Sequence, residues 1–87
     1  MEQHQGDPVA MRAQAARLKD VAETLRSAGN RLEARAASLT FRGPAAERFR
    51  TTAADRGRRA RQLSDELDLL ATTLVHSAAT TERGSTR

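Results

Sequence analysis

Residues 38–50 read SLTFRGPAAERFR, and this stretch decides the fold of the chain. It holds both phenylalanines of the 87-residue sequence, together with Gly43 and Pro44. Glycine gives the backbone the freedom to reverse direction, and proline is tolerated in the first turn of a helix but not in its interior. The stretch therefore predicts a turn over residues 40–43, followed by a helix that begins at Pro44.

The segment before the turn carries a large apolar side chain at every seventh position, namely at Met11, Leu18, Leu25, Leu32 and Leu39. Small residues lie four positions after most of these and would let a neighbouring helix come close, at Ala15, Ala22, Gly29 and Ala36. This period predicts a helix in a bundle. Asp7 can cap its start and Pro8 suits its first position, so we predict helix 1 over about residues 8–39. Gly29 weakens it by about 1 kcal/mol, and we expect the helix to continue through it.

A second apolar stripe follows the turn, at Phe49, Ala53, Ala60, Leu63, Leu67, Leu70 and Leu74. Spacings near three and four predict helix 2 over about residues 44–80, with Arg56 in one slot of the stripe. Residues 1–6 and 82–87 fall outside both patterns. We expect them to be flexible ends of one domain that spans residues 7–81.

The two predicted helices each exceed 30 residues and are joined by a short connection, so they should run antiparallel. The predicted fold is therefore all-α, a two-helix hairpin. Burying a leucine contributes ~1.5–3 kcal/mol, whereas ordering the backbone costs ~1–2 kcal/mol per residue, so one hairpin has a thin core. We expect two hairpins to form a four-helix bundle, as a homodimer or a heterodimer. The predicted interface is Leu18, Val21, Leu25, Leu32, Leu39, Phe49, Leu63, Leu67, Leu70 and Leu74.

The composition argues against catalytic or metal chemistry. Without cysteine the chain forms no disulfide or thiolate metal site, and its only imidazoles, His4 and His76, stand at opposite ends. Asp65 and Asp68 are one helical turn apart but have no histidine beside them. We therefore predict no enzymatic activity, no cofactor and no metal ion. No apolar run reaches the roughly 20 residues of a membrane span, and the N-terminus lacks the pattern of a secretory signal peptide.

The turn and its surroundings resemble the WXG family, the ESAT-like small helical hairpins of type VII secretion systems. Phe41-Arg42-Gly43 stands where that family has Trp-Xaa-Gly, and Pro44 followed by Phe49 is similar to the family's pattern after the turn. Phe41 keeps a large apolar ring but lacks the indole N–H donor of tryptophan. The resemblance covers about residues 9–80.

The resemblance implies a hairpin that pairs with a related hairpin or with the helical domain of a larger secreted effector. The family's export signal is a Tyr followed four residues later by Asp or Glu, but here Ala78 precedes Glu82 at that spacing. We therefore expect a small secreted substrate, or a helical partner and targeting chaperone that travels with a protein carrying the signal. Such a protein is cytoplasmic before export and leaves through the type VII system.

A basic cluster opens the second helix, at Arg48, Arg50, Arg56, Arg58, Arg59 and Arg61. Positive charge at this end opposes the helix dipole. This mismatch suggests that Arg48, Arg56, Arg58 and Arg59 form a contact face for acidic side chains, phosphates or a secretion ATPase, unless they are a solvated face. The alternative function is nucleic-acid binding through the Arg48–Arg61 face, which the net charge of only +4 and the missing stacking aromatics disfavour. A purely structural hairpin and a membrane-active amphipathic hairpin are further alternatives.

Overall fold

The computed structural model describes residues 7–85, which form two α-helices, α1 (Pro8–Ala37) and α2 (Pro44–Ser85), and no strand. The helices pack antiparallel along their length, as an extended hairpin with Cα dimensions of 67 × 20 × 13 Å. The predicted all-α hairpin is confirmed. The predicted flexible segment 1–6 lies outside the described residues, as do residues 86 and 87.

Both ends of α1 are capped by neighbouring residues. The Asp7 carboxylate accepts hydrogen bonds from the N–H groups of the second and third helical residues, at 3.0 and 3.3 Å. These N–H groups have no carbonyl partner within the helix, so the cap stabilises the first turn. At the other end the Ser38 N–H donates to the Ala34 carbonyl at 3.0 Å, and α1 ends at Ala37, two residues before the expected end.

The second helix is longer than the sequence pattern indicated. It was expected to end near residue 80 with a tail from residue 82, whereas α2 continues to Ser85. A contact with α1 lies within the additional residues, because the Glu82 carboxylate forms an ion pair with Arg12 across the hairpin.

The corner depends on one glycine and one arginine. Gly43 has a φ of +117°, in the left-handed region that side chains other than glycine rarely adopt, and Pro44 then opens α2. The Arg50 guanidinium reaches back and donates to the carbonyls of Leu39 (3.3 Å) and Phe41 (2.8 Å). These bonds hold the connection against the first turns of α2.

Small residues fill the contact between the helices. The buried positions are Ala15, Ala22, Gly29 and Ala36 in α1, and Ala46, Ala53, Gly57, Ser64, Ala71 and Ala78 in α2. We call them the alanine seam. The backbones come closest at two glycines, because a Cβ placed on Gly29 would lie 2.9 Å from the Gly57 carbonyl oxygen. Nearby, the buried Ser64 hydroxyl donates to the Ala22 carbonyl at 2.7 Å.

Ion pairs run along one side of the seam, which we call the ionic flank. They join Arg12 to Glu82, Arg26 to Asp65 and Asp68, and Arg61 to Glu33. Arg26 lies 3.0 Å from Asp68 and 3.1 Å from Asp65. Hydrogen bonds to Asp68 and to Asp65 hold the pKa of Arg26 above its ordinary value. These ion pairs link the two helices along this side.

Candidate functional site

The large apolar side chains lie beside the alanine seam, not within it. Each stands three residues after, or one residue before, a buried seam residue. Because an α-helix turns about 100° per residue, these positions share one flank of each helix. We call this surface the leucine face, formed by Leu18, Val21, Leu25, Leu32 and Leu39 with Phe49, Leu63, Leu67, Leu70 and Leu74. They are the residues that the sequence predicted for the partner interface.

The two helices present these flanks on the same side of the hairpin. On both helices, residues four positions after a seam residue lie on the ionic flank, where Arg26 contacts Asp68 and Glu33 contacts Arg61. Residues three positions after a seam residue lie on the other side of the seam in each helix, so the two sets lie together on the opposite side of the hairpin. The hairpin therefore has one ionic flank and one apolar flank.

The leucine face is open to solvent. Val21, Phe49, Leu63 and Leu70 are 46–50% exposed, and the other six members are half-buried.

The Phe41-Arg42-Gly43 motif lies at the corner, as expected, but the aromatic ring of Phe41 is exposed to solvent. Phe41 is 61% exposed, and Arg42 and Gly43 are exposed beside it. Phe41 thus contributes little to the hairpin's own core, and the corner presents its ring to solvent.

Comparison with known families agrees with this architecture. Residues 3–83 match the family model of WXG100, described as proteins of 100 residues with WXG. The chain belongs to the WXG100 family. Neither the curated proteins nor the solved structures contain a significant match to it. WXG100 membership indicates a small helical protein of type VII secretion.

The arginines of this WXG100 protein are distributed over different surfaces. Arg58 forms an ion pair with Asp55 on its own helix, while Arg48, Arg56 and Arg59 make no ion pair among the described residues. Arg56 alone of these stands on the leucine face. Arg50 and Arg61 are engaged in the corner and on the ionic flank, as described above.

The two residues at the spacing of the expected export signal have structural roles here. Ala78 is fully buried in the alanine seam, and Glu82 forms an ion pair with Arg12. A tyrosine ring at position 78 would have to displace α1. The alanine at this position therefore suits the close contact of the helices.

Apart from Ala53, sequence reasoning did not single out the half of the seam that α2 contributes. Gly57 and Ser64 are buried there but belong to no apolar stripe. A signal was present, since small residues recur every seven positions at Gly57, Ser64, Ala71 and Ala78, with the period that α1 shows. Because Gly57 and Ser64 are not large apolar residues, a search for such residues does not detect this period.

The ionisable residues considered for metal binding have other surroundings. Asp65 and Asp68 bind Arg26, and His76 is exposed. Between residues 7 and 85, no three His, Asp or Glu side chains lie close enough together to hold a metal ion. Neither of the two described helices has the length and apolarity to cross a membrane.

Proposed function

We propose that this chain is a non-enzymatic binding protein of a type VII secretion system. It pairs through the leucine face with a second helical hairpin, or with the helical domain of a larger secreted effector, and forms a four-helix bundle. It acts in the cytoplasm before export, as the helical partner that keeps the other protein soluble and accompanies it to the secretion machinery.

The observation that carries this proposal is the exposed leucine face. Ten large apolar side chains follow one side of the hairpin, while every buried side chain among the described residues is small. Contiguous apolar patches of this kind mark interaction surfaces in soluble proteins. Their arrangement on two antiparallel helices suits a partner that is itself a helix pair.

The role of accompanying partner has separate support from position 78. The family's export signal needs a tyrosine there, and this chain has an alanine that is packed against α1. Because the tyrosine of that signal does not occur in these 87 residues, we assign the signal to the partner. The proposal therefore favours the role of co-exported partner over that of an independent substrate.

Nucleic-acid binding has weaker support. Arg58 and Arg61 already have carboxylate partners, and the groove that Arg56 and Arg59 line also contains the carboxylates of Asp55 and Glu66. A surface that follows a phosphate backbone needs a cluster of cations that carboxylates do not offset. Binding to arbitrary DNA with a steep salt dependence would favour this alternative instead.

The test compares two neighbouring leucines. Leu70 is 50% exposed on the leucine face, whereas Leu69 is 71% exposed on the outer side of the same helix. The tagged chain is purified from its native host, and proteins that come with it are identified by mass spectrometry. We expect the Leu69→Asp chain to co-purify with a helical type VII protein, and the Leu70→Asp chain to lose that protein.

The two variants also control for each other, because both introduce the same charge into the same helix. Circular dichroism should show equal helix content for both. Equal retention of the partner by both variants would contradict the proposal. So would a wild-type chain that stays monomeric, melts cooperatively and brings no helical protein from its host.

A further inference from the structure

One arginine interrupts the leucine face. Arg56 stands three residues after Ala53 and one residue before Gly57, both of which are buried in the alanine seam. This position puts it in line with Phe49 and Leu63. Arg56 is exposed and makes no hydrogen bond or ion pair with any described residue. A partner that covers the leucine face would therefore cover this guanidinium as well.

A second arginine lies on the same part of the face. Arg35 is one residue before the buried Ala36, is exposed, and likewise has no ion pair among residues 7–85. Both arginines lie between the contact of Gly29 with Gly57 and the corner of the hairpin. The corner half of the leucine face thus carries two positive charges.

The register positions that form the leucine face carry no carboxylate among the described residues. None of the Asp and Glu residues in the described range stands three residues after, or one before, a buried seam residue. Asp68 lies on the ionic flank, whereas Asp55 and Glu66 border the leucine face, in one groove with Arg56 and Leu63. Asp55 is already paired with Arg58. If two copies paired face to face, Arg56 would meet apolar side chains or another arginine.

Covering an arginine without a counter-charge is costly, whereas a carboxylate opposite it gives a charge-assisted bond of defined geometry. We propose that Arg56, assisted by Arg35, selects a partner whose own apolar stripe carries an Asp or Glu opposite it. This inference rests on the proposed pairing through the leucine face. The chain then prefers a different, acid-bearing helical hairpin over a second copy of itself, because the same charge attracts one and repels the other.

The first arm of the test measures self-association by sedimentation equilibrium. Removing the charge with Arg56→Leu should tighten the homodimer by about tenfold or more, since two unpaired charges no longer need to be covered. The control is Arg48→Leu, which makes the same change two residues after the buried Ala46, about 80° from Arg56 around α2 and just outside the leucine face. It should alter the dissociation constant by less than about threefold.

The second arm supplies the missing carboxylate. Wild-type chain is mixed with labelled copies that each carry one glutamate on the leucine face, at Leu25→Glu, Leu32→Glu, Leu63→Glu or Leu67→Glu. At least one copy should bind the wild-type chain more tightly than the wild-type chain binds itself. That gain should disappear when the unlabelled chain carries Arg56→Leu.

The inference is overturned if Arg56→Leu associates no more tightly than wild type and no glutamate copy gains affinity. Adding Leu70→Asp to the Arg56→Leu chain separates this failure from failure of the proposed function. If Leu70→Asp abolishes association while Arg56→Leu has no effect, pairing through the leucine face stands and only the role of Arg56 is refuted. If Leu70→Asp leaves association unchanged, the leucine face is not the pairing surface and both fail.

Discussion

Replacing Gly29 by alanine tests the close contact at the centre of the hairpin. In an isolated helix this change is favourable by about 1 kcal/mol, because alanine restricts the unfolded chain and glycine does not. Here the added Cβ would lie 2.9 Å from the Gly57 carbonyl oxygen and 3.2 Å from the Ala60 Cβ. Both neighbours are backbone or Cβ atoms, so neither can rotate away and the helices must separate.

The two effects oppose each other, and their sizes decide the sign. Overpacking of this kind costs typically about 1–3 kcal/mol. Subtracting the gain in helix propensity leaves a net destabilisation of about 1 kcal/mol, which lowers the melting temperature of a domain of this size by about 4–8 °C. The matched control is Gly84→Ala, where a new Cβ has no atom within 4 Å. This variant should be neutral or slightly stabilised.

The assay is urea denaturation followed by circular dichroism, at two protein concentrations so that any association is detected as a shift of the midpoint. The comparison of Gly29→Ala with Gly84→Ala at one concentration then gives the cost of the contact. If Gly29→Ala is stabilised as much as Gly84→Ala, the helices do not approach as closely as described, and the alanine seam is misplaced.

Three further predictions concern the corner and the ionic flank. Gly43→Ala places a side chain at a φ of +117° and should destabilise the hairpin by about 1–3 kcal/mol in the same assay, and a neutral effect would contradict the left-handed corner. Arg50→Gln removes the charged donor to two carbonyls of the connection. It should cost about 1–2 kcal/mol and speed amide hydrogen exchange in residues 39–43, and unchanged exchange would argue against this role. Arg26→Gln should lower the free energy of unfolding at low salt. The difference from wild type should shrink near about 1 M salt, because salt screens exposed ion pairs. An equal loss at both salt concentrations would indicate that Arg26 acts through packing instead.

The sequence by itself determined the two helices, the turn and the membership of the leucine face. Heptad spacing of large apolar residues and a Gly-Pro step act locally, and local chemistry decides where a helix begins and which residues share a flank. The end of α2 was less predictable, because Glu82, beyond the predicted end, pairs with Arg12 of α1, which is distant in sequence.

Only the tertiary structure decided which flank the two helices turn towards each other. Each helix offers a row of large residues and, four positions away, a row of small ones, and both periods fit a helical contact. The backbones can approach most closely where neither helix has bulk, so Gly29 and Gly57 meet and the leucines are left at the side. The register that follows from this contact brings Arg26 to Asp68, which is far from it in the chain. The same register leaves Arg56 without a carboxylate partner.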